Sequence, residues 1–228
     1  MCGRFVLFTT AEQLLDAVGR LPADPAIAAV RAPQHTPPPR YNIAPTQMVA
    51  TVRMDNSQAL VEPARWGLLP GWKRDETGPT LFNARAETIA EKPSFRTAVR
   101  RAQRCLIPMD GYYEWHERQP YFVHRTDGQL LWAGGLWDTG TDRLSATIVT
   151  TAAPEPLRWL HHRTPLLLGP SSAARWLGPD PAEEVADLLA PAGAEVTDAL
   201  ATRPVTRAVG SVRNQGAWLL EDPADPVD

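Results

Sequence analysis

Residues 104–115 read R-C-L-I-P-M-D-G-Y-Y-E-W. Two apolar runs rich in β-formers, 104–109 and 111–115, flank Asp110, and each is too short for a stable helix of ordinary length. Similar runs continue on both sides, at 48–52 and 64–68 upstream and at 121–124, 130–136 and 146–150 downstream. Helical spacing between these runs is scarce, which argues against a doubly wound α/β chain. A mixed α+β domain around a curled or barrel-like antiparallel sheet is expected instead.

Helices are expected at the periphery. Residues 11–18 place Leu14, Leu15 and Val18 at helical spacing behind Thr10 as a cap, with Gly19 as the stop. Short helices are expected at 93–104, 171–177 and 181–189, and a first strand is expected to begin within 4–10. The stretch 33–40, P-Q-H-T-P-P-P-R, suits only an extended, stiff loop.

The whole chain has 228 residues, a formal net charge of -3, 43% hydrophobic and 21% charged residues. That length suffices for one large domain, expected at 1–220, and the final E-D-P-A-D-P-V-D, 221–228, reads as a flexible acidic tail. Slight acidity removes any global attraction to nucleic acid but leaves room for a local basic groove. No run reaches the roughly 18 apolar residues of a membrane span, and no secretory signal opens the chain. Two cysteines, Cys2 and Cys105, form no framework, so a reducing, cytoplasmic setting is expected.

Cys2 follows the initiator. Removal of Met1 would place an α-amine, with an ordinary pKa of about 7.7–8.0, beside a thiol of about 8.5. An amine captures an aldehyde as a Schiff base, and only a terminal cysteine can then close a thiazolidine ring through its thiol. An incidental small residue is the competing interpretation. Cys105, inside R-C-L-I-P-M, reads as a buried small hydrophobe.

Other groups are open to two interpretations each. Glu114 in G-Y-Y-E-W is either an acid/base carboxylate tuned by bulky neighbours or a surface glutamate. His161 in L-H-H-R-T-P is either a proton-transfer group or a structural imidazole. The adjacent His161 and His162 make poor metal ligands, because neighbouring side chains diverge on a strand and no third ligand is spaced to help. Asn83 and Arg85 in N-A-R-A-E can orient and clamp a phosphate, or cap a helix and face solvent. Arg4 and Arg163 would enlarge such a surface. Trp72 in P-G-W-K suits base stacking or an interface, and the basic 203–216 segment suits a polyanion groove or a plain loop and strand. No P-loop, G-x-G-x-x-G, G-x-S-x-G or H-E-x-x-H is present.

Taken together, M-C-G-R-F, Y-N-I-A-P, R-W-G-L-L-P-G-W, N-A-R-A-E-T, C-L-I-P-M-D-G-Y-Y-E-W, the V-T-T-A to H-H-R-T-P segment and R-A-V-G-S-V-R-N-Q-G run in the order found in the SOS response-associated peptidase family, the SRAP domain. The chain closely resembles that family from Met1 to about Gly216. The resemblance implies a distorted β-barrel with peripheral helices and a groove for single-stranded DNA containing abasic sites, with single-strand/double-strand junctions as a further setting. It implies covalent capture of the sugar aldehyde by Cys2, with associated lyase chemistry. By matching motifs, Asn83 would hold the sugar or a phosphate, Glu114 would shuttle protons, and His161 would assist ring opening. Arg4, Arg85 and Arg163 would hold the backbone, with Thr150 near the site. Trp72, beside Pro45, would separate or stack bases where duplex meets single strand.

Neither cofactor nor metal is implied, and a monomer, nucleoid-associated when bound to DNA, suffices. A thiol-dependent peptidase using Cys2, Glu114 and His161, or a non-covalent DNA-binding module, are the alternatives. Because only Met1 precedes Cys2, leader removal has nothing further to process, and proteolysis in trans is secondary. His162 and Thr164 depart from the family, which favours an acidic or amide residue and methionine at those positions.

Overall fold

The computed structural model describes residues 2–22 and 27–223; Met1 and the part of the expected tail from 224 onward lie outside the described residues. In chain order the strands are β1 (Arg4–Leu7), β2 (Ala29–Arg31), β3 (Arg40–Ile43), β4 (Met48–Asp55), β5 (Gln58–Trp66), β6 (Asn83–Arg85) and β7 (Arg104–Met109), followed by β8 (Gly111–His116), β9 (Gln119–Arg125), β10 (Leu131–Asp138), β11 (Ser145–Ala152), β12 (Arg163–Pro165), β13 (Leu167–Leu168) and β14 (Leu200–Pro204). Among the described residues four helices accompany them: α1 (Ala11–Gly19), α2 (Arg96–Arg100), α3 (Pro170–Leu177) and α4 (Ala194–Thr197). The chain is α+β, as its pattern of runs implies.

One sheet has the order β14-β9-β8-β1-β3; the other runs β12-β11-β10-β7-β4-β5-β2. Within the second sheet β11 also meets β5 in parallel, Ser145 opposite Arg65 and Ala146 opposite Trp66. That contact closes β5, β4, β7, β10 and β11 into a ring whose other pairings are antiparallel. All six residues of β7 are buried, which accounts for the unbroken apolar run of R-C-L-I-P-M. Arg104 at its start is tolerated there because its guanidinium donates to Trp176 O at 2.7 Å and to Asp180 O at 2.7 Å.

The first sheet is covered on both faces. Phe5, Tyr112 and Val123 join the main core, while Val6, Tyr113 and Phe122 join a second cluster closed by Val205, Val209 and Leu219 from the C-terminal segment. A strand buried on both sides has no polar alternation, hence F-V-L in β1 and G-Y-Y in β8. Gly111 is required at the start of β8, since a Cβ there would strike the Phe122 ring and the Val123 carbonyl. Asp110 before it accepts from the backbone N–H groups of Phe8 at 2.6 Å and Thr9 at 2.8 Å, tying the exit of β1 to the β7–β8 corner.

Helix α1 has the expected cap, a capping box between Thr10 and Gln13, and buries Leu14 and Val18. Two helix expectations need correction. The 93–104 segment yields only the five residues of α2, because Ala102 turns into the left-handed region at φ 49° and releases the chain into β7. The 181–189 segment is not α-helical; it forms turns and a 3-10 turn at Ala186–Leu189, with Val185 and Leu188 buried three residues apart, the 3-10 repeat. No helix among the described residues is long and apolar enough to cross a membrane.

Candidate active site

The first sheet delivers Cys2. β1 and β8 pair with Arg4 opposite Tyr113 and Phe5 opposite Tyr112; extending that register by one residue sets Glu114 opposite Gly3, next to Cys2. Cys2 is fully buried, and its thiol approaches Arg4 O at 3.8 Å. Burial, then the Glu114 carboxylate, pushes the thiol far above its usual range, so sulfur stays protonated. Glu114 is itself buried, with Oε1 accepting from the Trp115 N–H at 3.2 Å. Tyr112, buried on the same face, has its phenol held neutral above all by burial, with the nearby Glu114 carboxylate adding to the shift.

The second sheet delivers the remaining groups. β6 lies parallel to β11, Asn83 opposite Ile148 and Arg85 opposite Thr150, while β12 flanks β11 on the other side with Arg163 opposite Ala152. Asn83 Nδ2 donates to Cys2 O at 2.8 Å, joining the two sheets at Cys2. Its Oδ1 is buried with no hydrogen-bond partner among the described residues, an acceptor aimed beside Cys2. Trp66 supports this junction, its ring edge-on to Phe5 at 5.1 Å and its Nε1 donating to Phe82 O at 2.9 Å.

His161 sits on the loop between β11 and β12, anchored by buried Leu157 and Leu160. Its Nδ1 accepts from the Arg163 N–H at 2.9 Å and lies 3.1 Å from Arg163 O, so the loop supplies a donor for the neutral ring and an acceptor for the charged one. Burial lowers its pKa below 6.5, Glu114 opposes that shift, and His162 adds to it. The expectation that His161 and His162 diverge is corrected: both lie in the loop rather than in a strand, and their rings stack at 4.3 Å with 24° between planes. Among the described residues no group of three or more His, Cys, Asp or Glu side chains is arranged to hold a metal ion.

Arg163 is tightly held. It forms a fork to Glu87 through Nη1 and Nη2, both 2.9 Å, and Nη2 donates to Thr150 O at 2.6 Å. Arg163 in turn keeps the Glu87 carboxyl below its usual range. Arg85 is exposed on β6 beside it. Arg4 is directed to the C-terminal segment, donating to Asn42 Oδ1 at 3.0 Å, Val209 O at 2.6 Å and Gly210 O at 3.0 Å, the last of these bonds on the solvent side. Half-buried Pro45 lies in the β3–β4 loop, which is tied to the end of β5 where Thr46 N–H donates to Trp66 O at 2.7 Å, and 59%-exposed Trp72 lies in the segment that follows β5.

A family model described as SOS response associated peptidase (SRAP) matches residues 1–212. The chain belongs to the SRAP family. It is 33% identical to "Abasic site processing protein YedK" of Escherichia coli over 97% of its length and 99% of that protein's. Identity to "Abasic site processing protein YoqW" of Bacillus subtilis is 34%, over 97% and 99%. A crystal structure of a Bacteroides thetaiotaomicron protein superposes with a TM-score of 0.79 at 23% identity, covering 98% of this chain and all of that one, a likeness of fold.

Against this SRAP frame, three residues stand out that the motifs alone do not assign. Asn42, the buried asparagine of Y-N-I-A-P, donates to Val209 O at 3.1 Å, Ser211 O at 2.9 Å and Asn214 O at 3.2 Å. Glu87 of N-A-R-A-E-T holds Arg163, and Tyr112 of D-G-Y-Y-E-W is buried on β8 two residues before Glu114. An amide inside an apolar strand and a carboxylate four residues after Asn83 were the available signals.

Proposed function

We propose that this SRAP protein processes abasic sites by covalent capture in single-stranded DNA, using Cys2 as the N-terminal residue once Met1 is removed. The observation that supports this most is the setting of Cys2: a buried, protonated thiol in the field of Glu114, with its carbonyl pinned by Asn83. A protonated thiol is a poor first nucleophile, so the α-amine leads. The amine adds to the open-chain aldehyde, and loss of one water gives the imine. Sulfur then adds to the imine carbon while the thiol proton, carried by Glu114, ends on nitrogen; the thiazolidine forms with no further atom gained or lost.

His161 acts on the sugar. Its lowered pKa leaves it neutral at neutral pH, able to take the proton of the C1 hydroxyl as the bond from C1 to the ring oxygen breaks and that oxygen takes a proton from water to become the C4 hydroxyl. Asn83 Oδ1 accepts from a sugar hydroxyl. Arg85, Arg163 and the solvent side of Arg4 hold phosphates, and Trp72 with Pro45 meets bases where duplex gives way to single strand. Abasic DNA suits such a site because the missing base removes most of the unstacking cost. The same raised thiol pKa disfavours a thiolate peptidase.

The test incubates the processed protein with a single-stranded oligonucleotide bearing one abasic site. Wild type should form a heat-stable one-to-one adduct; Cys2→Ala should retain only an imine that needs borohydride to survive. A heat-stable adduct at wild-type yield in Cys2→Ala would overturn the assignment.

A further inference from the structure

Two residues before His161, Trp159 is 46% exposed yet firmly placed. The Tyr121 ring meets it at 5.0 Å and 88°, and the His116 ring at 5.6 Å and 64°. One partner comes from β8, which carries Glu114, and the other from β9, paired with it. Tyr121 on β9 is the direct cross-strand neighbour of Glu114, and His116 lies two residues beyond Glu114 on β8, so the three side chains leave one face of the sheet. The loop holding Trp159 is pinned on either side by Leu157 and Leu160, 2% and 4% exposed, before it reaches His161.

A single exposed tryptophan is ordinary on a protein surface. Here the ring is braced by two others and adjoins the proposed site by two routes, through the strand pair bearing Glu114 and through the turn bearing His161. We propose that Trp159, braced by Tyr121 and His116, is a stacking subsite for the nucleobase that immediately flanks the abasic sugar. The inference rests on the capture reading and adds to it the recognition of one neighbour. A base beside a gap in the strand has lost one stacking partner, and an aromatic ring replaces that partner whatever the base, since every base presents a π-face. The rigid brace keeps the ordering cost of the indole low, because little rotamer freedom is left to lose on binding.

The experiment uses single-stranded oligonucleotides containing tetrahydrofuran, an abasic analogue without an aldehyde, so binding is read apart from capture. Trp159→Ala is expected to weaken binding roughly tenfold, and Trp159→Phe to restore most of it. Two further oligonucleotides also lack the base on one side of the analogue, 5′ or 3′. With one of these two, wild type and Trp159→Ala should bind alike, and with the other the tenfold gap should persist. An unchanged affinity in Trp159→Ala, or the same loss on all three oligonucleotides, would overturn the subsite. Wild-type adduct formation on a true abasic site is measured alongside; its absence would defeat the capture reading, while the tetrahydrofuran series still decides the stacking subsite.

Discussion

At the scale of single residues, the proposed reactive centre depends on groups that keep one another in the uncharged or charged form each needs. The Cys2 thiol is held protonated by burial and by Glu114, so in the proposed mechanism ring closure follows imine formation rather than preceding it. His161 is held neutral by burial, with its stacked neighbour His162 contributing repulsion when charged. In the proposed mechanism a neutral His161 acting as base adds a step as pH rises through its depressed pKa, on top of the steady rise that the α-amine, the first nucleophile, gives up to its own pKa of about 7.7–8.0. Replacing His162 by Asn removes a like charge, raises the His161 pKa toward 6.5, and should move that step to higher pH; His161→Ala should remove the step and leave only the rise of the amine. Rates of adduct formation between pH 5 and 8 read both effects, and an unmoved step in His162→Asn would show that the stacked pair does not tune the reaction.

Elements supply the positions. β1 presents Cys2 because β8 lies on one side of it and β3 on the other, and β3 is tied to the C-terminal segment by Asn42 and Gln215. Asn42→Ala removes the amide that donates to Ser211 O, Asn214 O and Val209 O, leaving the last with its bond from Arg4, and loosens the segment that also receives Arg4. Destabilisation of about 2–3 kcal/mol is expected from the lost bonds, measurable as a lower urea midpoint. Wild-type stability in Asn42→Ala would mean that the segment is held by the Val205, Val209 and Leu219 cluster alone.

Much of this level was legible in the amino-acid order. The strand runs, the Thr10 cap and the burial of Cys105 follow from periodicity and chemistry. Short strands such as β6 and β12 were not, because three residues carry no period; they exist only through pairing with β11. Local propensity at 93–104 gave no hint of the left-handed Ala102 that ends α2 early.

Across the whole molecule, ring closure joins residues 65 and 145, which no local pattern links. That closure carries β6 and β12 alongside β11 and so assembles Arg85, Thr150 and Arg163. The motifs named Cys2, Asn83, Glu114 and His161 as a set, but the commitment of Arg4 to Asn42 and Val209, and of Arg163 to Glu87, depends on contacts between distant elements. A net charge of -3 leaves DNA attraction to this local basic group. If Arg4, Arg85 and Arg163 neutralise three phosphates as proposed, with Arg163 exchanging Glu87 for phosphate, log affinity for single strands should fall against log salt with a slope of roughly -2. A slope near zero would remove the arginines from the backbone contact.

The central claim is that the α-amine and thiol of Cys2 act together on one aldehyde carbon. It is tested most directly by digesting the purified adduct and weighing its N-terminal peptide. The expected peptide begins at Cys2 and carries the sugar remnant with the loss of one water, with no free thiol left to alkylate. A peptide that retains Met1, or one whose Cys2 thiol still alkylates, would contradict the claim.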